Sequence, residues 1–471
     1  VGRVLLLEAA LMLLPLAVSL IYGESCSLSF VISAAAAAVV GAALKFFCRS
    51  DSKNLYTRDG LAIVALSWIG ISLFGALPFV ISGSIPSFID AFFETVSGFT
   101  TTGASILTDV EALSHGLLFW RSFTHWVGGM GVLVFIMAVM EKTPERSVNI
   151  LRAEMPGHNV DKLTPRASGT AKILYYIYLA LTVLETVLLL CGGMPLFDSI
   201  VHALGTAGTG GFGIKADSIA SYSHFCQWVI TVFMLLFGVS FNMYYLLLIK
   251  RWREVLKSNE LKCYLGISLA AMIIVVLSIM PLYGSIADAV RLSAFQVSSI
   301  VTTTGYATAD FDAWPSLAKA VLLILMFFGG CMGSTAGGLK MSRVTVLAQI
   351  ARNDLRHALR PREVSTVILN GRRVDAQGER QILSYFALYI AVIGAVFLLI
   401  SFEPFGIETN FSATVSCVNN IGPGFGQVGP SLSYADYSAF SKLVLSFAML
   451  LGRLEIYPLL LLLSPQLWTK R

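Results

Sequence analysis

The sequence predicts an all-α integral membrane protein. Two leading transmembrane helices precede four pseudo-fourfold units of span, re-entrant pore helix and span, arranged around one pore. Three observations lead there: recurrent apolar runs long enough to cross a bilayer, a regular alternation of Lys and Arg between connections, and four glycine-bearing loops in matching context. The 471 residues are 56% hydrophobic and 13% charged, against about 25% charged in an average soluble domain. Runs of roughly 20 apolar residues suffice to cross a hydrocarbon core. They occur at 4–22, 28–47, 60–82, 117–140, 171–192, 225–249, 262–282, 317–347, 381–402 and 437–462. The first run is long for a signal peptide and lacks a small-residue cleavage site behind it, so it reads as a span. Seven cysteines with no CxxC pair show no metal-ligand spacing.

The distribution of positive charge orients these spans. Segments 45–58, 142–172, 250–262 and 343–380, with Arg3 and the tail Lys470-Arg471, hold 26 of the 33 Lys and Arg residues. Intervening segments such as 23–27, 83–86, 214–224 and 306–316 hold almost none. The positive-inside rule then puts both termini in the cytoplasm, consistent with ten spans. A nucleic-acid-binding surface would not alternate with the spans in this way, so no nucleic-acid partner is expected.

Four shorter segments, 86–99, 195–207, 285–301 and 405–418, are too short to cross, and the charge count puts all four on the outer side. Each begins near an acidic residue (Asp90, Asp198, Asp288, Glu408), which suits the positive end of a helix. Each ends in a small polar loop: GFTTTGAS (98–105), GTAGTGGFG (205–213), VTTTGYAT (301–308) and VNNIGPGFG (418–426). The glycines closing the shared pattern are taken as Gly103, Gly210, Gly305 and Gly422, 107, 95 and 117 residues apart. Recurrence in register four times marks an internal repeat. The expected units are 60–170, 171–261, 262–380 and 381–471, after the leading pair in 1–59. Because the repeats face the same way, they suit rotation about the membrane normal.

Irregular backbone at membrane depth is tolerated where protein buries it or where it lines a watery path. Four such loops around one axis can turn carbonyls inward and replace the water shell of a cation. The short helices aim their negative ends at the same point. The expected filter residues are Thr101, Thr102 and Gly103; Thr209 and Gly210; Thr303, Thr304 and Gly305; and Asn420, Ile421 and Gly422. The loops carry no carboxylate ring, which points to a monovalent cation without separating potassium from sodium. GTAGTGGFG follows a short helix rather than a strand, which excludes a dinucleotide-binding loop.

Span 317–347 is interrupted by GGCMGSTAGG at 329–338, whose five glycines make poor helix. A P-loop is excluded because Leu339 separates Gly338 from Lys340 and no strand precedes it. Close helix packing through small residues is the other reading. The preferred one is an intramembrane loop beneath the filter that opens or blocks the pore, with Gly329, Gly330, Gly333, Ser334, Thr335, Gly337, Gly338 and Lys340 as gate residues. Arg453 lies inside the last span, where an ionisable residue is expensive and commonly functional. Glu455, two positions on, does not share its helix face. Arg453 is therefore expected to face the pore, touch the glycine-rich loop and oppose cation passage.

TTTGAS, TAGTGGFG, TTTGY and NNIGPGFG resemble the filter loops of the Trk/Ktr/HKT superfamily of potassium transporters. HWVGGMGVLVF (125–135) after the first loop, GGCMGSTAGGLKMSR (329–343) and LGRLEIYPLL (451–460) resemble other stretches of that superfamily, and the match is best with the bacterial Trk-type membrane subunit. The resemblance covers nearly the whole chain. It implies potassium uptake in the bacterial inner membrane, a homodimer surrounded by lipid, and a cytoplasmic ring of separately encoded nucleotide-binding subunits. In that family a serine at the first filter glycine marks sodium-conducting members, so Gly103 favours potassium. A sodium-permeable or sodium-coupled transporter of the same fold is the alternative. The basic stretch 343–380, with eight Arg, reads either as a solvated lipid-facing stretch or as a docking surface for the regulatory subunits, and the resemblance favours docking.

No catalytic cluster can be assembled from the scattered histidines, so no enzyme activity and no cofactor beyond the transported ion are expected. Asp198 and His202, four apart, are two potential ligands and do not make a metal site. Asn242 reads as a packing or pore-facing polar residue.

Overall fold

The computed structural model describes residues 1–47, 57–131, 167–363 and 365–465. Basic segments 48–56 and 142–166, the tail, and the part of span 117–140 after Gly131 lie outside the described residues. Among the described residues the regular structure is helical apart from two two-residue strands, Ile368–Leu369 paired with Arg372–Arg373.

Among the described residues six helices are long and apolar enough to cross a membrane: Gly2–Ile21, Ser27–Phe47, Asp59–Ile81, Ala171–Cys191, Asn259–Tyr283 and Ala376–Ile400. The chain is a multi-pass membrane protein. Its burial pattern is that of a membrane solvent. Leu269, Leu277 and Leu398 on the long helices are exposed, as residues facing lipid tails can be without cost. Four short helices are instead deeply enclosed: Phe88–Phe99, Leu196–Gly208, Ile286–Val301 and Ile407–Asn419. They run 12, 13, 16 and 13 residues, and even the longest reaches only about 24 Å at 1.5 Å per residue. Every residue from Ala91 to Phe99 is buried.

Enclosed helices need their polar side chains satisfied locally. Thr95, Thr206 and Thr414 each donate to the carbonyl four residues back, at 2.8, 2.9 and 2.9 Å. The N-terminal ends are polar too. Ser87 accepts from the Asp90 N–H and Ser285 from the Asp288 N–H, each at 3.4 Å.

Three expected spans are broken rather than continuous. Span 225–249 is a pair of helices, His224–Phe237 and Phe241–Leu248, bent by 91°. The bend exists because neighbouring backbone takes up the groups it frees. Cys331 N–H donates to Gly238 O at 2.8 Å and Phe241 N–H to Gly333 O at 3.0 Å. Span 317–347 is the helix Ser316–Leu325, an irregular stretch, and the helix Met341–Leu359, whose second half is exposed. Span 437–462 divides into Ala439–Arg453 and Tyr457–Leu462. Glu455 and Ile456 between them are left-handed, with φ 53° and 69°, a backbone region costly for a β-branched residue. All three breaks converge on residues 329–338.

Candidate functional site

The four short helices end alike. At each C-terminus one residue is left-handed: Thr101 (φ 56°), Thr209 (55°), Thr303 (54°) and Asn420 (57°). Its N–H reaches the carbonyl three residues back, at 3.1, 2.9, 3.1 and 3.4 Å in the four loops. The next N–H, from Thr102, Gly210, Thr304 or Ile421, reaches the carbonyl five back at 2.9, 2.9, 2.8 and 3.0 Å. This pair of bonds is the Schellman termination, which ordinarily places glycine at the left-handed site. Threonine there costs about 1–3 kcal/mol each, strain of the kind that gathers at functional sites.

One residue further on, a glycine is left-handed in every loop: Gly103 (φ 80°), Gly211 (73°), Gly305 (85°) and Gly422 (105°). The second loop thus differs from the sequence-based register. Its equivalent glycine is Gly211, not Gly210, because the Schellman turn begins at Thr209. Gly210 occupies the place held by Thr102, Thr304 and Ile421.

These glycines close a ring. A Cβ on Gly103 would lie 2.0 Å from the carbonyl oxygen of Gly210, and one on Gly211 2.0 Å from that of Thr304. A Cβ on Gly305 would lie 2.1 Å from Ile421 O, and one on Gly422 2.7 Å from Thr102 O. Each loop presses its glycine against the carbonyl that precedes the equivalent glycine in the next loop. The fourth returns to the first. No side chain fits at these positions without moving a neighbour's carbonyl.

Side chains brace the ring. Thr100 and Thr102 hydroxyls bond at 2.8 Å, as do those of Thr302 and Thr304. Asn420 Nδ2 donates to Thr102 Oγ1 and to Met449 O, both at 2.9 Å, linking the fourth loop to the first. Ser416 and Tyr434 hydroxyls both donate to Gly422 O at 2.8 Å. Behind the first loop, Arg121 and Glu94 form an ion pair at 2.8 Å with side chains 2% and 0% exposed. Glu94 also accepts from Ser105 Oγ and the Ile106 N–H, both at 3.0 Å. Arg121 Nη1 donates to Gly213 O at 3.2 Å, so the pair ties the first loop to the second. Two buried oxygens on the ring, Thr101 Oγ1 and Asn420 Oδ1, have no hydrogen-bond partner among the described residues.

Asn420→Ala removes the donation to the first loop and the one to Met449 O on helix Ala439–Arg453, and leaves a β-carbon residue in left-handed backbone without the local help of an Asn amide. We expect a loss of about 1–3 kcal/mol, read as a lower melting temperature of the purified protein in detergent. An unchanged melting temperature would count against the brace.

The segment 329–338 lies directly against this ring. Gly337 N–H donates to Thr303 Oγ1 at 2.7 Å, and a Cβ on Gly337 would meet Asn419 O at 2.5 Å. The segment folds back on itself: Gly329, Gly333, Gly338 and Lys340 are left-handed, and a Cβ on Gly329 would lie 2.2 Å from Gly337 O. Lys340 Nζ donates to Ala336 O. Ser334 Oγ caps Cys331 O at 2.6 Å, and Thr335 Oγ1 donates to Phe237 O at 3.3 Å. Gly330 packs against Gly238 O.

Arg453 completes the arrangement. Its Nη1 donates to Thr335 O at 2.8 Å, and its Nη2 donates to Gly128 O and, at 2.7 Å, to Gly129 O. One guanidinium thus joins the last long helix, the glycine-rich segment and the end of helix His115–Gly129. Glu455 pairs with Arg343 rather than with Arg453. Beneath lies a cavity of about 1050 Å3 whose lining includes Asn242, Gly333, Ser334, Gly337, Lys340 and Arg453.

Several contributors were not singled out in the sequence. Glu94 carried a usable signal, an acid inside an apolar short segment. Glu260 and Asn370 carried none. Glu260 Oε1 accepts from the Met332 N–H at 2.6 Å, and Asn370 Oδ1 accepts from Ser258 Oγ at 2.8 Å. Asp198 and His202 are bridged by the Tyr222 hydroxyl, at 2.8 and 3.3 Å. Among the described residues no group of three metal-ligating side chains occurs.

Comparison with known proteins agrees with this architecture. The family model described as TrkH, cation transport protein, matches residues 27–470. The chain is 34% identical over 474 residues to the Trk system potassium uptake protein TrkH of Salmonella typhimurium, covering 99% of this chain and 98% of that protein. It is 33% identical over 478 residues to TrkG of Escherichia coli, covering 99% and 97%. A crystal structure of the potassium transporter TrkH from Vibrio parahaemolyticus superposes with a TM-score of 0.90 at 33% identity, covering 99% of this chain and 98% of that one. The chain belongs to the TrkH family of cation transport proteins.

Proposed function

We propose that this chain takes potassium up across the bacterial cytoplasmic membrane, with the four-loop ring as its selectivity filter and residues 329–338 as its gate. The observation that carries the reading is the ring closure, in which each glycine is held against a neighbouring loop's carbonyl. Backbone oxygens gathered around one axis can replace the hydration shell of a monovalent cation. The buried Thr101 Oγ1, which has no hydrogen-bond partner among the described residues, offers a further oxygen from the first loop. The likeness to Trk system potassium uptake proteins supports potassium as the ion. Units 60–170, 171–261, 262–380 and 381–471 each supply one quarter of the ring.

Uptake needs no ATP site in this chain, because an inside-negative potential contributes roughly 2.3 kcal/mol per charge per 100 mV. Gating comes from a cytoplasmic nucleotide-binding subunit ring on a homodimer embedded in lipid, with both termini cytoplasmic. Exposed arginines in the segment 343–380, among them Arg352, Arg356, Arg372, Arg373 and Arg380, suit that docking.

The test is rubidium or potassium uptake into proteoliposomes holding this chain, with sodium as competitor. Potassium-preferring flux supports the reading. Sodium competing equally would favour a sodium-permeable transporter, and no flux even with a regulatory subunit added would refute conduction.

A further inference from the structure

The second quarter of the ring is built differently from the others. Where the first and third loops place Thr100 and Thr102, and Thr302 and Thr304, the second places Gly208 and Gly210. The threonine pairs stiffen their loops through hydroxyl bonds of 2.8 Å. The fourth loop uses Asn419, held by the Tyr389 hydroxyl at 2.8 Å, and the buried Ile421. The second loop has no side chain of its own at either place.

Another element fills both. A Cβ on Gly210 would lie 2.3 Å from the His125 ring atoms Cγ and Nδ1, and one on Gly208 2.3 Å from the His125 carbonyl oxygen. Gly210 is not left-handed, so space rather than backbone excludes a side chain there. The His125 imidazole is fully enclosed and stacks on Phe212 at 4.2 Å between centroids and 23° between planes. Arg121, one turn earlier on the same helix, holds the same Phe212 ring at 4.1 Å. Among the described residues neither ring nitrogen of His125 has a hydrogen-bond partner, so shape and contact, not hydrogen bonding, are what the ring supplies.

We infer that His125 is a positioning residue for ion selectivity: its imidazole stands in for the missing side chain of the second loop and fixes the Gly210 carbonyl that abuts Gly103. This rests on the filter reading above. An ion sees the Gly210 carbonyl, and the ring behind it decides where that oxygen sits.

The test is an exchange of volume between two positions, read as the potassium-to-sodium ratio of uptake in proteoliposomes. His125→Ala lowers the ratio at least about fivefold while leaving cation flux, because it frees the loop without blocking the path. Gly210→Ala alone, pushed into the ring, abolishes or strongly lowers flux. The double variant His125→Ala with Gly210→Ala recovers flux relative to Gly210→Ala, since the added methyl enters the vacated space. Should His125→Ala fail to assemble in the membrane, His125→Asn serves in both the single and the double variant. An unchanged ratio in the single variant, or a double variant no better than Gly210→Ala, would overturn the inference. Gly103→Ser runs in parallel. If it leaves selectivity unmoved, the filter reading fails; if it lowers selectivity while His125 variants do not, only the role of His125 fails.

Discussion

Gly103→Ser lowers the preference for potassium over sodium by roughly a hundredfold, about 2.7 kcal/mol, while the protein still assembles in the membrane. The geometry sets the direction. A Cβ at this position falls 2.0 Å from Gly210 O. An ordinary contact needs at least about 3 Å, so the two loops must separate by about 1 Å. The left-handed φ of 80° adds a cost of about 1–2 kcal/mol for any residue bearing a Cβ. Separation by that amount is comparable to the difference between coordination suited to a large ion and to a smaller one. The serine hydroxyl partly replaces the displaced carbonyl, so conduction persists with weaker discrimination. Competitive rubidium and sodium uptake measures it. A variant with unaltered selectivity would remove the first loop from the filter.

Arg453→Ala raises unstimulated cation flux by on the order of tenfold, or about 1.4 kcal/mol in the barrier. Two effects add. A fixed positive charge next to a cation path raises the barrier to entry, and its removal lowers it. The three carbonyls of Thr335, Gly128 and Gly129 also lose the donor that joins them. The glycine-rich segment then keeps bonds such as Gly337 N–H to Thr303 Oγ1 and Met332 N–H to Glu260 Oε1. Arg453→Lys separates the effects. It keeps the charge but not the fork that reaches three acceptors at once, so its flux should fall between the wild type and Arg453→Ala. Equal flux in all three proteins would exclude Arg453 from gating.

The sequence made the enclosed helices legible because their lengths are set by two physical limits. They are too short to cross, and each ends in residues that cannot continue a helix. The segments 285–301 and 405–418 accordingly lie within a residue or two of the helices Ile286–Val301 and Ile407–Asn419. The broken spans were less legible. An apolar run reports hydrophobicity, not continuity, and residues 238–240 show no proline to betray a 91° bend. That bend depends on Cys331 and Gly333, some ninety residues away, which receive its freed backbone groups.

The site was legible in composition and less so in register. TTTG and NNIG announce their left-handed residues, but TGG offers two candidate glycines, and only the turn at Thr209 selects Gly211. Contacts such as Asn420 to Thr102 and Glu94 to Arg121 join distant residues and leave no local pattern. His125 read as an isolated histidine because what it completes is a gap in another segment.

The ring is written in four different stretches of a single chain. In a pore assembled from four identical subunits, any one codon change alters every quarter at once, so a modest adjustment is multiplied fourfold. Here a codon at 103, 211, 305 or 422 alters one quarter and leaves three standing. With the ring as the proposed filter, natural variation can therefore tune ion preference in small increments. It can also let one quarter be built differently from the other three, as the second loop, with His125 packed against Gly208 and Gly210, already is.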